Sequence, residues 1–217
     1  MSVTLDSALW RDIYATDAHA QEELPVYSDK ADADLVARAK TGDSYAFEEL
    51  VRRYRNDVFA VGYHFVRNRE EAWDLSQEVF IKAHRALGRF RGDASLKTWL
   101  LRITANQCKD HLKKRRLETV PFNDALAAGD RAQRVAGPSE ALEAEELGQA
   151  ILAAVDSLPH KHKTAIVLRE FEGMSYQEMA QAMGCNIGTV MSRLHHARKK
   201  IRNRLVEMRV VEEQSHG

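Results

Sequence analysis

Apolar positions recur every three or four residues along most of this 217-residue chain, the spacing at which one face of an α-helix returns to the same side. Phe47, Leu50, Val51, Tyr54, Val58 and Phe65 make one such stripe and predict a long amphipathic helix over Asp43–Val66. Asn68, followed three residues later by Glu71, is a capping pair that opens the next helix. That helix runs to about Leu87 with Ala72, Leu75, Val79 and Ala83 inward. Gly88 and Gly92 in GRFRGDAS interrupt the period as a loop. Ser95 then caps a third helix predicted through Arg116, with Leu96, Trp99, Leu100, Ile103 and Leu112 on its inner face. No stretch alternates with period two for long enough to be a strand.

Between Glu118 and Ser139 the period dissolves, and Pro121, Gly129, Gly137 and Pro138 punctuate the chain. This composition predicts a flexible linker with a short helical turn around Asp124–Ala128. Helices resume at about Glu140, pause at SLPHKH and continue over Lys163–Glu172. The fold class expected is all-α: two small helical domains, 30–117 and 140–207, joined by a linker at 118–139. Residues 1–29 read as a flexible acidic extension and 208–217 as a tail.

The second domain ends in a specific pattern. Ser175 and Glu178 form an S-x-x-E capping box for a short helix through Met183. Gly184 supplies a tight turn and Asn186 an N-cap for a second helix. Ile187, Val190, Leu194, Ala197 and Ile201 fall on one face of that helix; Thr189, Ser192, Arg193, His196, Lys199 and Lys200 fall on the other. Helix, glycine turn and helix with a basic outer face is helix-turn-helix geometry, which seats the second helix in a major groove. An ordinary amphipathic hairpin with a solvated basic face is the plainer alternative. Spacing alone does not say whether Arg193 and Lys199 read base edges or neutralise phosphates.

Charge changes the picture through its distribution, because the formal net charge is zero. The first thirty-odd residues are acidic, Arg85–Arg116 is strongly basic, Glu118–Glu146 is acidic again, and the last long helix is basic. Two basic blocks imply two contact surfaces for a polyanion. The first block also interleaves Phe90 and Trp99 with arginines around a glycine loop, a composition suited to stacking unpaired bases; Trp99, on the apolar face, reads as core before it reads as a stacking platform. No apolar run is long enough to span a membrane, the N-terminus lacks a signal peptide's pattern, and Cys108 and Cys185 stand apart as reduced thiols of a cytosolic protein. No phosphate-binding loop, zinc-protease helix, nucleophile elbow or cysteine–histidine cluster occurs. Neither catalysis nor a cofactor is therefore expected, and the pairs His160/His162 and His195/His196 do not make a metal site.

The segments GDSYAFEELVRRY, REEAWDLSQEVFIKAHRAL, FRGDASLKTWLLRITANQCKDHLKKR and SLPHKHKTAIVLREFEGMSYQEMAQAMGCNIGTVMSRLHHARKKIRNRL occur in this order. Over about residues 33–116 and 140–206 the chain resembles bacterial RNA polymerase sigma factors of the extracytoplasmic-function type. The resemblance implies that the first domain is sigma region 2 and the second is region 4, and that the protein binds core RNA polymerase and directs it to promoter DNA. It assigns Asp74, Gln77, Glu78 and Phe80 to polymerase docking. A loop over Arg89–Leu96, with Phe90, Arg91, Asp93 and Ser95, would capture a flipped base of the −10 element. The helix after it, with Trp99, Asn106, Lys109 and Lys113, would read and open that element. Asn186, Thr189, Ser192, Arg193, His196, Lys199 and Lys200 would serve the −35 element. An anti-sigma factor is a partner of many members. Trp73, beside the docking face, and Met191, before SRL, depart from the family's usual polar and basic residues. A solitary helix-turn-helix regulator, the rival class, leaves FRGDAS and the basic helix after it without a use.

Overall fold

The structure, a computed structural model, describes residues 27, 29–118 and 139–208. Nearly all of the acidic extension, the linker with its turn around Asp124–Ala128, and the tail beyond residue 208 lie outside the described residues. Within them are eight α-helices and no strand.

Helix α1 (Asp32–Lys40) has no counterpart among the predicted elements. Its nine residues bury only Leu35 and Val36, too few for a period to stand out, although Asp32 and Asp34 in the first turn and Arg38 and Lys40 in the last suit the helix dipole. Helix α2 (Ser44–Val66) starts on Asp43, whose carboxylate accepts from the Ala46 amide at 3.1 Å. It ends on Arg67 in the left-handed region at φ 55°. Asn68 accepts from the Glu71 amide at 3.0 Å and opens α3 (Arg69–Ala86). A 3₁₀ turn, Leu87–Arg89, leads into the loop, and the Ser95 hydroxyl caps α4 (Leu96–Glu118) by accepting from the Thr98 amide at 3.1 Å. Helices α2, α3 and α4 pack on one another, with α1 against α2. The first two meet closely at Gly62, where a Cβ would lie 3.4 Å from the Leu75 side chain.

In the C-terminal half, α5 (Ser139–Asp156) is followed by α6 (His160–Ile166), which passes into a π turn, Val167–Phe171. The break between them is shorter than SLPHKH: Pro159 is the N-cap of α6, a helix boundary where its missing N–H removes no hydrogen bond. Helices α7 (Tyr176–Met183) and α8 (Ile187–Glu207) follow, and α8 packs against α5, α6 and α7.

The two halves share one buried cluster, and α7 lies on α4. Polar ties cross the junction. Asp156 accepts from Arg67 Nε at 3.1 Å and from Lys163 Nζ at 2.8 Å, and the same ammonium reaches the Phe65 carbonyl at 3.3 Å. Lys97 pairs with Asp57 at 2.7 Å on its own side and with Glu172 at 3.3 Å on the other. Helix α4 is consequently covered on two sides. Leu101, Ala105 and Cys108, absent from the predicted inner face, are buried, whereas Ile103 and Leu112 are only half-buried.

Candidate nucleic-acid interface

The loop between the 3₁₀ turn and α4 forms the rim of a pocket of about 250 Å³, smaller than the ~300–1,000 Å³ of a small-molecule site. Phe90 and Trp99 line it with ring centroids 5.1 Å apart and planes at 49°. Arg89, Arg91 and Arg102 supply positive charge, Asp93 a single carboxylate, and Thr98 a hydroxyl that shares a 2.8 Å hydrogen bond with Ser95. Gly92, at φ +80°, turns the loop. Trp99 is both of the things its position allowed: 8% exposed as part of the core, and a wall of the pocket. Such a site can hold one flat ring against aromatic surface while guanidinium groups neutralise the phosphates beside it.

Three lining residues, Thr98, Arg102 and Gln181, were not among the sequence candidates. Arg102 was within reach of the sequence, since Ser95, Trp99, Arg102, Asn106, Lys109 and Lys113 follow at three- and four-residue steps along α4. Asn106, Lys109 and Lys113 are exposed and continue the stripe away from the pocket. Gln181 comes from α7, and its Nε2 donates to the Asp93 carbonyl at 3.3 Å. No period within either half announces that contact.

The second surface is the outer side of α8. The Ser175–Glu178 capping box forms completely: the Glu178 carboxylate accepts from the Ser175 amide at 2.8 Å, and its pKa is lowered by the Ser175 hydrogen bonds. Gly184 takes φ 60°, and Asn186 Oδ1 accepts from the Thr189 amide at 2.8 Å. Ser192, His196, Lys199 and Lys200 are exposed, and Thr189 and Arg193 half-exposed. Arg193 also reaches Cys185 Sγ at 3.5 Å. Val190, Leu194 and Ala197 are buried as expected, but Ile187 is 40% exposed because it stands at the first turn, ahead of the contact with α7.

On α3, Asp74 and Glu78 are exposed and Gln77 is half-buried. Glu78 accepts a hydrogen bond from Gln107 of α4, which also takes one from Lys82. Phe80 does not share this face: at 1% exposure it belongs to the core, because it lies on the same side of α3 as Ser76, Val79 and Ala83. No group of His, Cys, Asp and Glu able to hold a metal occurs among the described residues, and none of their helices is long and apolar enough to cross a membrane.

Comparison with known proteins covers both surfaces. The family model for sigma-70 region 2 matches residues 36–118, and that for sigma-70 region 4 matches residues 148–201. The RNA polymerase sigma-H factor of Pseudomonas aeruginosa is 41% identical over 177 residues, spanning 78% of this chain and 91% of that protein. The ECF RNA polymerase sigma-E factor of Escherichia coli K12 is 39% identical over 180 residues, 80% of this chain and 94% of the relative. Among solved structures, CnrH in complex with the cytosolic domain of CnrY aligns over 81% of this chain and 97% of its own, with TM-score 0.59 and 26% identity. The sigma factor RpoE bound to the anti-sigma factor NepR, from Bartonella quintana, aligns over 74% and 96%, with TM-score 0.56 and 26% identity.

Proposed function

From the premise that this chain belongs to the sigma-70 family, as an extracytoplasmic-function RNA polymerase sigma factor that directs transcription initiation, we propose a division of labour among its surfaces. Residues 30–117 act as region 2 and 140–207 as region 4. Asp74, Gln77 and Glu78 contact core polymerase, with Phe80 holding their helix in place from within. The pocket at the start of α4 takes an unpaired base of the −10 element against the surface that Phe90 and Trp99 form, with Arg91, Asp93 and Ser95 at its rim. Asn106, Lys109 and Lys113 track the strand beyond it. Asn186, Thr189, Ser192, Arg193, His196, Lys199 and Lys200 meet the −35 duplex.

The observation that carries this reading is the joining of two aromatic rings and three arginines in one pocket at the head of a helix whose outer stripe stays polar and basic. Energetics supply the reason for a partner. Opening about ten base pairs at ~1.4 kcal/mol per stacking step costs more than ten kcal/mol, beyond what two small helical units hold open unaided. The protein works in the cytoplasm without chemistry of its own, supplying recognition and strand capture to an enzyme that does the polymerising. The two solved structures named above are complexes, CnrH with the cytosolic domain of CnrY and RpoE with the anti-sigma factor NepR, and we extend an anti-sigma partner to this chain.

The test is transcription by core polymerase reconstituted with this protein on a pool of genomic promoter fragments. Start sites preceded by two spaced motifs are expected. Phe90→Ala should abolish strand opening while leaving binding of the upstream duplex intact. Arg193→Ala separates two roles: a base reader relaxes specificity at one position and costs ~1–3 kcal/mol, whereas a phosphate contact weakens every sequence alike and lowers the salt slope by ~1. Tight binding to duplex sites without polymerase, and no opening with it, would overturn the assignment.

A further inference from the structure

The base-capture loop is held from behind by a residue outside every motif considered above. Lys40, at the last turn of α1, donates its Nζ to the Phe90 carbonyl at 2.5 Å, and the same ammonium stands 5.9 Å from the centroid of the Phe90 ring. A single charged group thus fixes both the backbone and the ring of the residue that faces Trp99. Its own platform is firm. Asp32 at the head of α1 binds Arg53 at 2.8 Å and accepts from the Tyr54 hydroxyl, while Arg53 also reaches the Tyr27 carbonyl at 2.9 Å. The loop's other long-range tie, Gln181 to the Asp93 carbonyl, comes from the C-terminal half. It is lost whenever the two halves part to reach promoter elements more than one DNA turn (~34 Å) apart. The tie from Lys40 comes from the same half as the loop and survives that separation.

We propose that Lys40 is a positioning residue that sets the Phe90 ring for base capture, acting through the Phe90 backbone and ring and not by contact with DNA. The inference rests on the reading of this pocket as the −10 site. A stacking wall displaced by an ångström loses much of its contact with a flat base, so placement is as important as the ring itself. Lys40 is exposed, so replacing it leaves no cavity in the core.

The experiment uses holoenzyme and a fluorescent single-stranded oligonucleotide, the non-template strand of a promoter that the holoenzyme transcribes, titrated across a salt series. Lys40→Met keeps the stem and removes the donor and charge. It should weaken strand binding about three- to tenfold, the net worth of one ordinary hydrogen bond at a solvent-exposed site. The slope of log affinity against log salt should not change, and Lys40→Arg should restore affinity to within about twofold. A slope reduced by ~0.7 would make Lys40 a phosphate contact, and unchanged affinity would make it a solvated lysine; either overturns the proposal. Phe90→Ala measured alongside keeps the two readings apart. If it weakens strand binding and Lys40→Met does not, only the role of Lys40 falls; if it has no effect, the pocket reading falls and takes this inference with it.

Discussion

His64 lies near the end of α2 with its ring 3.9 Å from that of Phe171, across the junction between the two halves, and its Nδ1 is buried without a hydrogen-bond partner. Burial, with Arg67 and Lys163 nearby, lowers its pKa to about 4 from an ordinary 6.5. Between those values an unfolded chain takes up a proton that the folded one refuses, so the stability His64 contributes is complete above about pH 6.5 and drains away as pH falls toward 4. His160 and His162, also lowered by burial, act in the same sense. Glu172 acts in the opposite one: burial raises its pKa, so the folded state holds its proton more readily and gains as pH falls. Glu48, also raised by burial, acts with Glu172; three imidazoles outweigh these two carboxyls, and the melting temperature should drop between about pH 7.5 and about pH 5. His64→Phe keeps the ring against Phe171 and removes the titration. It should flatten that drop, and an identical drop in variant and wild type by differential scanning fluorimetry would exclude His64 as its source.

Local chemistry fixes some elements before any tertiary contact. The helix-turn-helix has a complete capping box at Ser175, a left-handed glycine at 184 and an N-cap at Asn186, all within a dozen residues. Ser175→Ala should therefore cost ~1 kcal/mol and lower the melting temperature by ~2–4 °C. Gly184→Ala meets open space where its Cβ would sit, so its cost is purely that of the backbone at φ +60°, ~1–2 kcal/mol. Urea unfolding of both variants checks the two figures, and a Gly184→Ala protein as stable as wild type would mean that the turn adjusts. This explains which parts were legible in the sequence. Caps and stripes belong to one element and are written along it, so α2, α3, α7 and α8 could be read within a few residues. Helix α1 was missed because its anchor is Asp32 meeting Arg53 and Tyr54, a pairing between elements. Helix α4 reads as one-sided along the sequence because its second covered side is supplied by the C-terminal half: α7 packs on it, and Lys163 and His160 of α6 act on Cys108 and the Ala105 backbone. Of the pocket, Phe90, Trp99 and Arg91 were legible as composition, whereas Gln181 and Lys40 are supplied by other elements.

At the scale of the whole molecule, the region 2 and region 4 halves, proposed above to read separate promoter elements, are packed together here, and the packing is charged as well as apolar. The Lys97 ammonium lies between Asp57 of α2 and Glu172 of the C-terminal half. Burial alone would lower its pKa, yet these two carboxylates leave it raised. Glu172 has only 6% of its side chain exposed in this pair, so solvent screens it little and its partner's sign matters. Lys97→Glu sets a third carboxylate between the other two and leaves Glu172 buried without a cation, a change that costs far more than deleting an exposed ion pair. The expected result is separation of the halves, seen as a larger radius of gyration in small-angle scattering and a lower unfolding midpoint. Charge reversal at both positions, Lys97→Glu with Glu172→Lys, restores an ion pair across the junction and confines the remaining like-charge contact, with Asp57, to the N-terminal half. The double variant should recover most of the compaction, with a coupling of the size found for neighbouring charged residues, ~0.5–3 kcal/mol. Scattering profiles of both variants that match wild type would show that the apolar junction holds the halves together without this pair. Recovery in the double variant alone would make the Lys97–Glu172 pair the contact that sets how easily the two DNA readers come apart.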